Sequence, residues 1–197
     1  MRDSRWLNKR AWDYLNEFQQ SQDQLNPQLP RLNTNTWVAP TDPVYKLNFD
    51  AAIFKELNCS GVGVIIRNAN GEVMAAMSAK GPPVEDSEVA ETLACRKAME
   101  FAIDAGFSEL LIEGDNVVVM SSLSHGGTNL SRLGLIVQDI QWLATGLRWA
   151  QFSHVKRSAN SVAHVLARYA KNVVEEKIWL EETPPPVVEA LYLDYLH

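Results

Sequence analysis

Residues 45–79 read YKLNFDAAIFKELNCSGVGVIIRNANGEVMAAMSA, and this stretch decides the fold. Tyr45 to Phe54 is apolar with one acid at its centre, which predicts a strand. Gly61 to Arg67 is rich in β-branched residues, and Asn68-Ala69-Asn70-Gly71 is a strong hairpin turn. Glu72 to Ala79 is the returning strand, so three antiparallel strands open the domain. Downstream the hydrophobic period changes. Asp86 or Ser87 can cap a helix running to Ala105, with Val89, Ala90, Leu93, Ala94, Lys97, Ala98, Phe101 and Ala102 on or near one face and Gly106 ending it. Leu110 to Glu113 reads as a short buried strand and Asn116 to Leu123 as a helix, broken by Gly126-Gly127. Leu133 to Leu143 gives a further helix, Arg148 to Val155 a strand, and Asn160 to Val174 a last helix. The order βββαβααβα predicts an α/β fold with a mixed sheet and helices on its faces.

The flanks differ in composition. Trp6 to Phe18 places Leu7, Ala11, Tyr14, Leu15 and Phe18 at helical spacing, and residues 19–43 read as a polar linker rich in Gln, Asn, Pro and Thr. Thr183-Pro184-Pro185-Pro186 stops whatever precedes it, leaving VVEALYLDYLH as a short apolar helix or docking tail. The expected division is therefore 1–36 for helix and linker, 37–177 for the domain, and 178–197 for a Pro-interrupted tail. With 197 residues, 46% hydrophobic and 21% charged, the chain is neither disordered throughout, collagen-like nor a disulfide scaffold. Cys59 and Cys95 form no CxxC, which favours a reducing compartment. No apolar run reaches membrane-spanning length, and the region after Met1 lacks the apolar core of a signal peptide. An intracellular location, nucleus or cytoplasm, is expected. The net charge of −6 argues against tight, salt-resistant binding of a polyanion.

Three acids stand where acids are expensive. Asp50 lies inside KLNFDAAIF, where a structural strand would hold Val or Ile; alone, it reads as an acid on the solvent side of an edge strand. Asp115 follows the apolar LLIE, a position that also suits an ordinary helix N-cap. Glu91 lies one turn into the long helix among Val89, Ala90, Leu93 and Ala94, where a helix dipole also favours an acid. The topology makes the first and fourth strands neighbours and packs the long helix across them, which brings the three acids together. Converging carboxylates without basic partners need a cation, and hard oxygen ligands favour Mg²⁺ or Mn²⁺. Paired divalent ions are a recurrent device for phosphodiester cleavage.

The succession KLNFDAA, AETLACRKAM, LLIEGDN and HVKRSANSVAHVLARYA resembles the ribonuclease H superfamily, type 1 branch, over about residues 37–175. It is most similar to plant retrotransposon-derived, reverse-transcriptase-like members, with Trp37-Val38-Ala39-Pro40 as the W-x-x-P-like lead-in. The resemblance implies a five-stranded mixed sheet with helices on both faces and two divalent ions, Mg²⁺ or Mn²⁺. It implies endonucleolytic hydrolysis of the RNA strand of an RNA–DNA hybrid by a two-metal mechanism. Asp50, Glu91 and Asp115 match the family's first three metal-binding acids. The fourth acid normally sits in N-x-x-A-D-x-L-A; here Asn160-Ser161-Val162-Ala163-His164-Val165-Leu166-Ala167 puts His164 in its place. His164 is then either a fourth ligand, giving a weakened or Mn²⁺-preferring second metal position, or a helix residue without a metal role.

Two family features are missing: a histidine in the loop before the last helix, here Lys156-Arg157-Ser158-Ala159, and a basic protrusion, here LSHGGTNLSR over 123–132. Both leave open a second reading, a weakened or inactive module that binds nucleic acid or, through its flanking helices, a protein partner. From Gly146 to Lys171 the chain carries Arg148, Lys156, Arg157, Arg168 and Lys171 and no acid. This run is a solvated face or a phosphate grip, with Lys156 and Arg157 the best candidates. Asn116 and Asn160 complete the expected nucleic-acid contacts, and a monomer is expected.

Overall fold

The computed structural model describes residues 35–125 and 131–196. The helix expected over 6–18, most of the polar linker and part of the 123–132 segment lie outside the described residues. The hairpin strands are β1 (Tyr45–Phe54), β2 (Cys59–Arg67) and β3 (Val73–Gly81). They are followed by α1 (Ser87–Asp104), β4 (Glu109–Gly114), α2 (Val117–His125), α3 (Arg132–Ala144) and β5 (Trp149–His154). The chain closes with α4 (Ser161–Tyr169), β6 (Glu176–Leu180) and α5 (Val188–Tyr195). Among the described residues no helix is long and apolar enough to cross a membrane.

The sheet has six strands, not five, in the order β5-β4-β1-β2-β3-β6. β1, β2 and β3 pair antiparallel, β4 and β5 add in parallel beside β1, and β6 adds antiparallel to β3. The extra strand, EKIWL, falls across the boundary expected at residue 177 and buries only Trp179. Two charged residues followed by three apolar ones give no alternation, and the free edge of β3 supplies what the pattern does not.

Alternation along β1 divides the interior in two. Leu47 and Phe49 point into the larger core with Val64, Ile66, Ala94, Ala98, Leu110 and Ile112. The opposite face packs Ile65, Ala76 and Trp179 against Val162 and Leu166 of α4 and Val187 and Leu191 of the C-terminal segment. α4 lies unusually close to the sheet because Gly61 and Gly63 present no side chains beneath it. A Cβ at Gly63 would overlap the Ala163 carbonyl oxygen and the Ala167 amide.

The same face carries buried polar side chains. Lys46 Nζ sits 2.8 Å from Glu113 Oε1, Asn48 Nδ2 donates to Glu113 Oε2 at 3.1 Å, and Trp37 Nε1 donates to Asn48 Oδ1 at 3.0 Å. The Trp37 ring lies 3.6 Å beneath the Arg67 guanidinium, whose Nη1 is 2.7 Å from Asp194 Oδ2. The lead-in around Trp37 and the C-terminal helix α5 are thereby tied to the sheet through buried, paired polar and charged groups.

Candidate metal centre

β1 outruns its parallel neighbour. The β1–β4 pairing ends at Asn48↔Glu113, so Asp50 stands beyond the last pair. Asp115 immediately follows β4, which places it on the same open edge. α1 starts beside this edge: Asp86 caps it by accepting from the Glu88 and Val89 amides, and its first turns bring Glu91 down onto β1. There Glu91 Oε1 accepts from the Ala51 amide at 3.4 Å. One ligand oxygen from each of Asp50, Glu91 and Asp115 lies within 4.8 Å of the others. Asp115 is free for this because Asn116 caps α2, its Oδ1 accepting from the amides of Val118 at 3.1 Å and Val119 at 3.2 Å.

The cluster is electrostatically loaded. Burial, then the neighbouring Asp50 and Asp115 carboxylates, push Glu91 up to about 9. Asp115 is raised as well, by burial and by Asp50, against a lowering pull from Arg157 and His164. Glu91 Oε2 is buried and faces no hydrogen-bond donor among the described residues, although Glu91 as a whole is only 8% exposed. Ionising Glu91 leaves a buried anionic oxygen without a donor, a cost that a cation removes. The donor set, all carboxylate oxygens, fits a hard divalent ion.

His164, the stand-in for the fourth acid, does not join the three oxygens. It projects from α4 and places Nδ1 2.6 Å from Asp50 Oδ2. Arg157 closes over the imidazole, with one guanidinium nitrogen 3.4 Å from Nδ1 and 3.3 Å from Nε2. An atom equidistant from both ring nitrogens lies against the ring rather than on one lone pair.

The other expected contacts divide. Lys156 and Arg157 are exposed beside the acids. Lys156 Nζ donates to Asn35 Oδ1 at 2.7 Å, and Ser158 Oγ donates to the Asn35 carbonyl. Asn116 serves as the α2 cap. Asn160 is not on the surface at all: it is 1% exposed and donates through Nδ2 to the Phe49 carbonyl at 2.8 Å. It acts on the residue next to Asp50, so a nucleic-acid contact through this side chain is not available. Arg148, part of the basic run, pairs with Glu109 at 3.2 Å. His154, outside the expected site, sets Nε2 3.1 Å from the Asp115 carbonyl and so steadies the turn carrying that acid. A lone histidine at the end of a strand gave no sign of it.

Comparison with known proteins agrees with this geometry. Residues 48–170 match the family described as reverse transcriptase-like. No curated protein matches. Among solved structures, the chain is similar to RNase H1 from the halophilic archaeon Halobacterium salinarum, with TM-score 0.59 and 25% identity over 66% of this chain and 98% of that one. It also shares its fold with the N-terminal RNase H domain of a Mycobacterium tuberculosis protein, at TM-score 0.56 and 21% identity over 66% of this chain and 94% of that one. LC11-RNase H1, isolated from compost and solved in complex with an RNA/DNA hybrid, gives TM-score 0.58 and 19% identity over 65% of this chain and 96% of that one. Since the matched span holds Asp50, Glu91, Asp115 and His164 on a ribonuclease-H-like fold, the chain belongs to the reverse-transcriptase-like family of ribonuclease-H-type domains.

Proposed function

We propose that the chain is a metal-dependent endonuclease that hydrolyses the RNA strand of RNA–DNA hybrids. The observation that carries this reading is the convergence of Asp50, Glu91 and Asp115 on one open edge, with the donorless Glu91 Oε2 among them. The complex of LC11-RNase H1 with an RNA/DNA hybrid supports the substrate class for the shared fold.

Asp50, Glu91 and Asp115 would hold Mg²⁺ or Mn²⁺. When bound, the ion supplies Lewis-acid activation of water and stabilisation of the departing 3′-oxygen. The chain's own groups do the rest. Lys156 and Arg157, exposed on the loop before α4, meet phosphates and set the duplex against the acids. Asn116 has its Oδ1 committed to the α2 cap, which leaves its Nδ2 to reach a sugar or phosphate oxygen. Buried Asn160 and exposed His154 hold the backbone at Phe49 and Asp115, so neither acid has to be repositioned when substrate arrives.

The test is a cleavage assay on a labelled RNA–DNA hybrid in Mg²⁺ and in Mn²⁺, with a binding assay on the same duplex. Cleavage is expected in at least one metal and is abolished by Asp50→Asn with the circular dichroism spectrum unchanged. Binding without cleavage in either metal would select the non-catalytic binding module instead. Cleavage that survives Asp50→Asn would remove the site assignment.

A further inference from the structure

We propose that the centre holds one divalent cation, and that His164, backed by Arg157, occupies the place a second cation would take. The inference rests on the metal-dependent reading above and deepens it. It replaces the two-ion arrangement that the family resemblance implies.

The geometry begins with Asp50. A carboxylate that bridges two cations gives one oxygen to each. Here Oδ2 is 2.6 Å from His164 Nδ1, a full hydrogen bond. If Nδ1 carries the proton it has no lone pair to offer, and if Oδ2 carries it the one lone pair of Nδ1 is taken. Nδ1 is then closed to a cation, and Oδ2 can meet one only beside the imidazole and the Arg157 side chain against it. Asp50, Glu91 and Asp115 each still offer one carboxylate oxygen to a single shared ion.

A second cation would have to draw a ligand from the His164 side. The residue in that place is an imidazole, and its ring is covered by the Arg157 guanidinium at 3.3–3.4 Å. A fixed positive charge there repels a divalent ion that would have to sit against the same ring. Glu91 is different: its Oε2 is buried and faces no donor among the described residues. The centre is therefore asymmetric, without a donor at Glu91 Oε2 and with a guanidinium against His164.

Counting bound ions tests this without reference to activity. The full chain, stripped with chelator, is titrated with Mn²⁺, and free Mn²⁺ is read by electron paramagnetic resonance. The wild type is expected to take up one ion per chain. His164→Asp, which restores a carboxylate and removes the hydrogen bond to Asp50 Oδ2, is expected to take up two. Two ions in the wild type would overturn the single-ion centre while leaving the nuclease reading intact. One ion in a His164→Asp variant whose circular dichroism shows it folded would overturn the role given to His164. No ion in the wild type would overturn the metal-dependent reading together with this one. The wild-type count stands by itself if the variant does not fold.

Discussion

The Asn160 side-chain amide donates to the Phe49 carbonyl at 2.8 Å, joining the residue that precedes α4 to the residue that precedes Asp50. One hydrogen bond thus sets the register between the helix bearing His164 and the strand bearing the first acid. Asn160→Ala leaves the buried Phe49 carbonyl without this donor, which costs about 1–3 kcal/mol. Urea denaturation measures it. Unchanged stability together with weakened hybrid binding would return Asn160 to the surface role that its sequence context predicts.

Glu91 makes the metal-free protein pH-sensitive. Its carboxyl is near its ordinary 4.5 in the unfolded chain and near 9 when folded. Between those values the native state binds the extra proton, so this group's stabilisation is present at low pH and is lost as pH rises. With chelator present, the melting temperature is expected to be higher at about pH 5.5 than at about pH 8.5. Glu91→Gln flattens that slope. Adding Mg²⁺ or Mn²⁺ at the higher pH raises the melting temperature of the wild type and not of Asp50→Asn.

Gly63→Ala tests the close approach of α4. The added methyl meets backbone on both sides, the Ala163 carbonyl and the Ala167 amide, and backbone cannot move aside as a flexible side chain would. A loss of about 1–3 kcal/mol is expected from overpacking, and the helix moves off the sheet. Because His164 rides on that helix, its contact with Asp50 opens as well. Nitrogen-15 shifts of the His164 ring report this separately from stability.

Lys46 and Glu113 are a buried ion pair, each side chain 6% exposed. Lys46→Met strands the Glu113 carboxylate and is expected to cost about 3–5 kcal/mol. Adding Glu113→Gln removes the stranded charge while keeping an acceptor for Asn48, so the double variant recovers part of the loss. Equal stability of the single and double variants in urea would show that the charge of Glu113 does not matter.

Much of this was legible in the sequence. Asp50, Glu91 and Asp115 could be read because each is an acid inside an apolar segment of known period, and the strand order follows from the hairpin followed by βα units. What could not be read depends on partners distant in the chain. Asn160 reads as a polar residue beside a basic loop, and only the fold brings the Phe49 carbonyl, 111 positions away, to its amide. Asp115 and Asn116 are equally good helix caps by local rules, and the cluster at Asp50 and Glu91 decides that Asn116 takes the work. β6 was hidden because only Trp179 in EKIWL is buried, so the segment carries little pattern of its own. His164 could be placed opposite Asp50 by resemblance, but the Arg157 covering its ring could not.

β6 also decides how the molecule meets its own copies. β3 reads VMAAMSAKG, with Ala75 to Ala79 buried, and without β6 its backbone donors and acceptors would be an open edge. An uncharged, flat run of that kind is a template for pairing with another chain. β6 covers it with Glu176 and Lys177, charged residues that discourage a further strand from adding. A version of the protein cut at the boundary read from the sequence, residue 177, would keep all three acids yet lose this guard. Self-association through β3, growing with concentration, is then expected of the shortened chain.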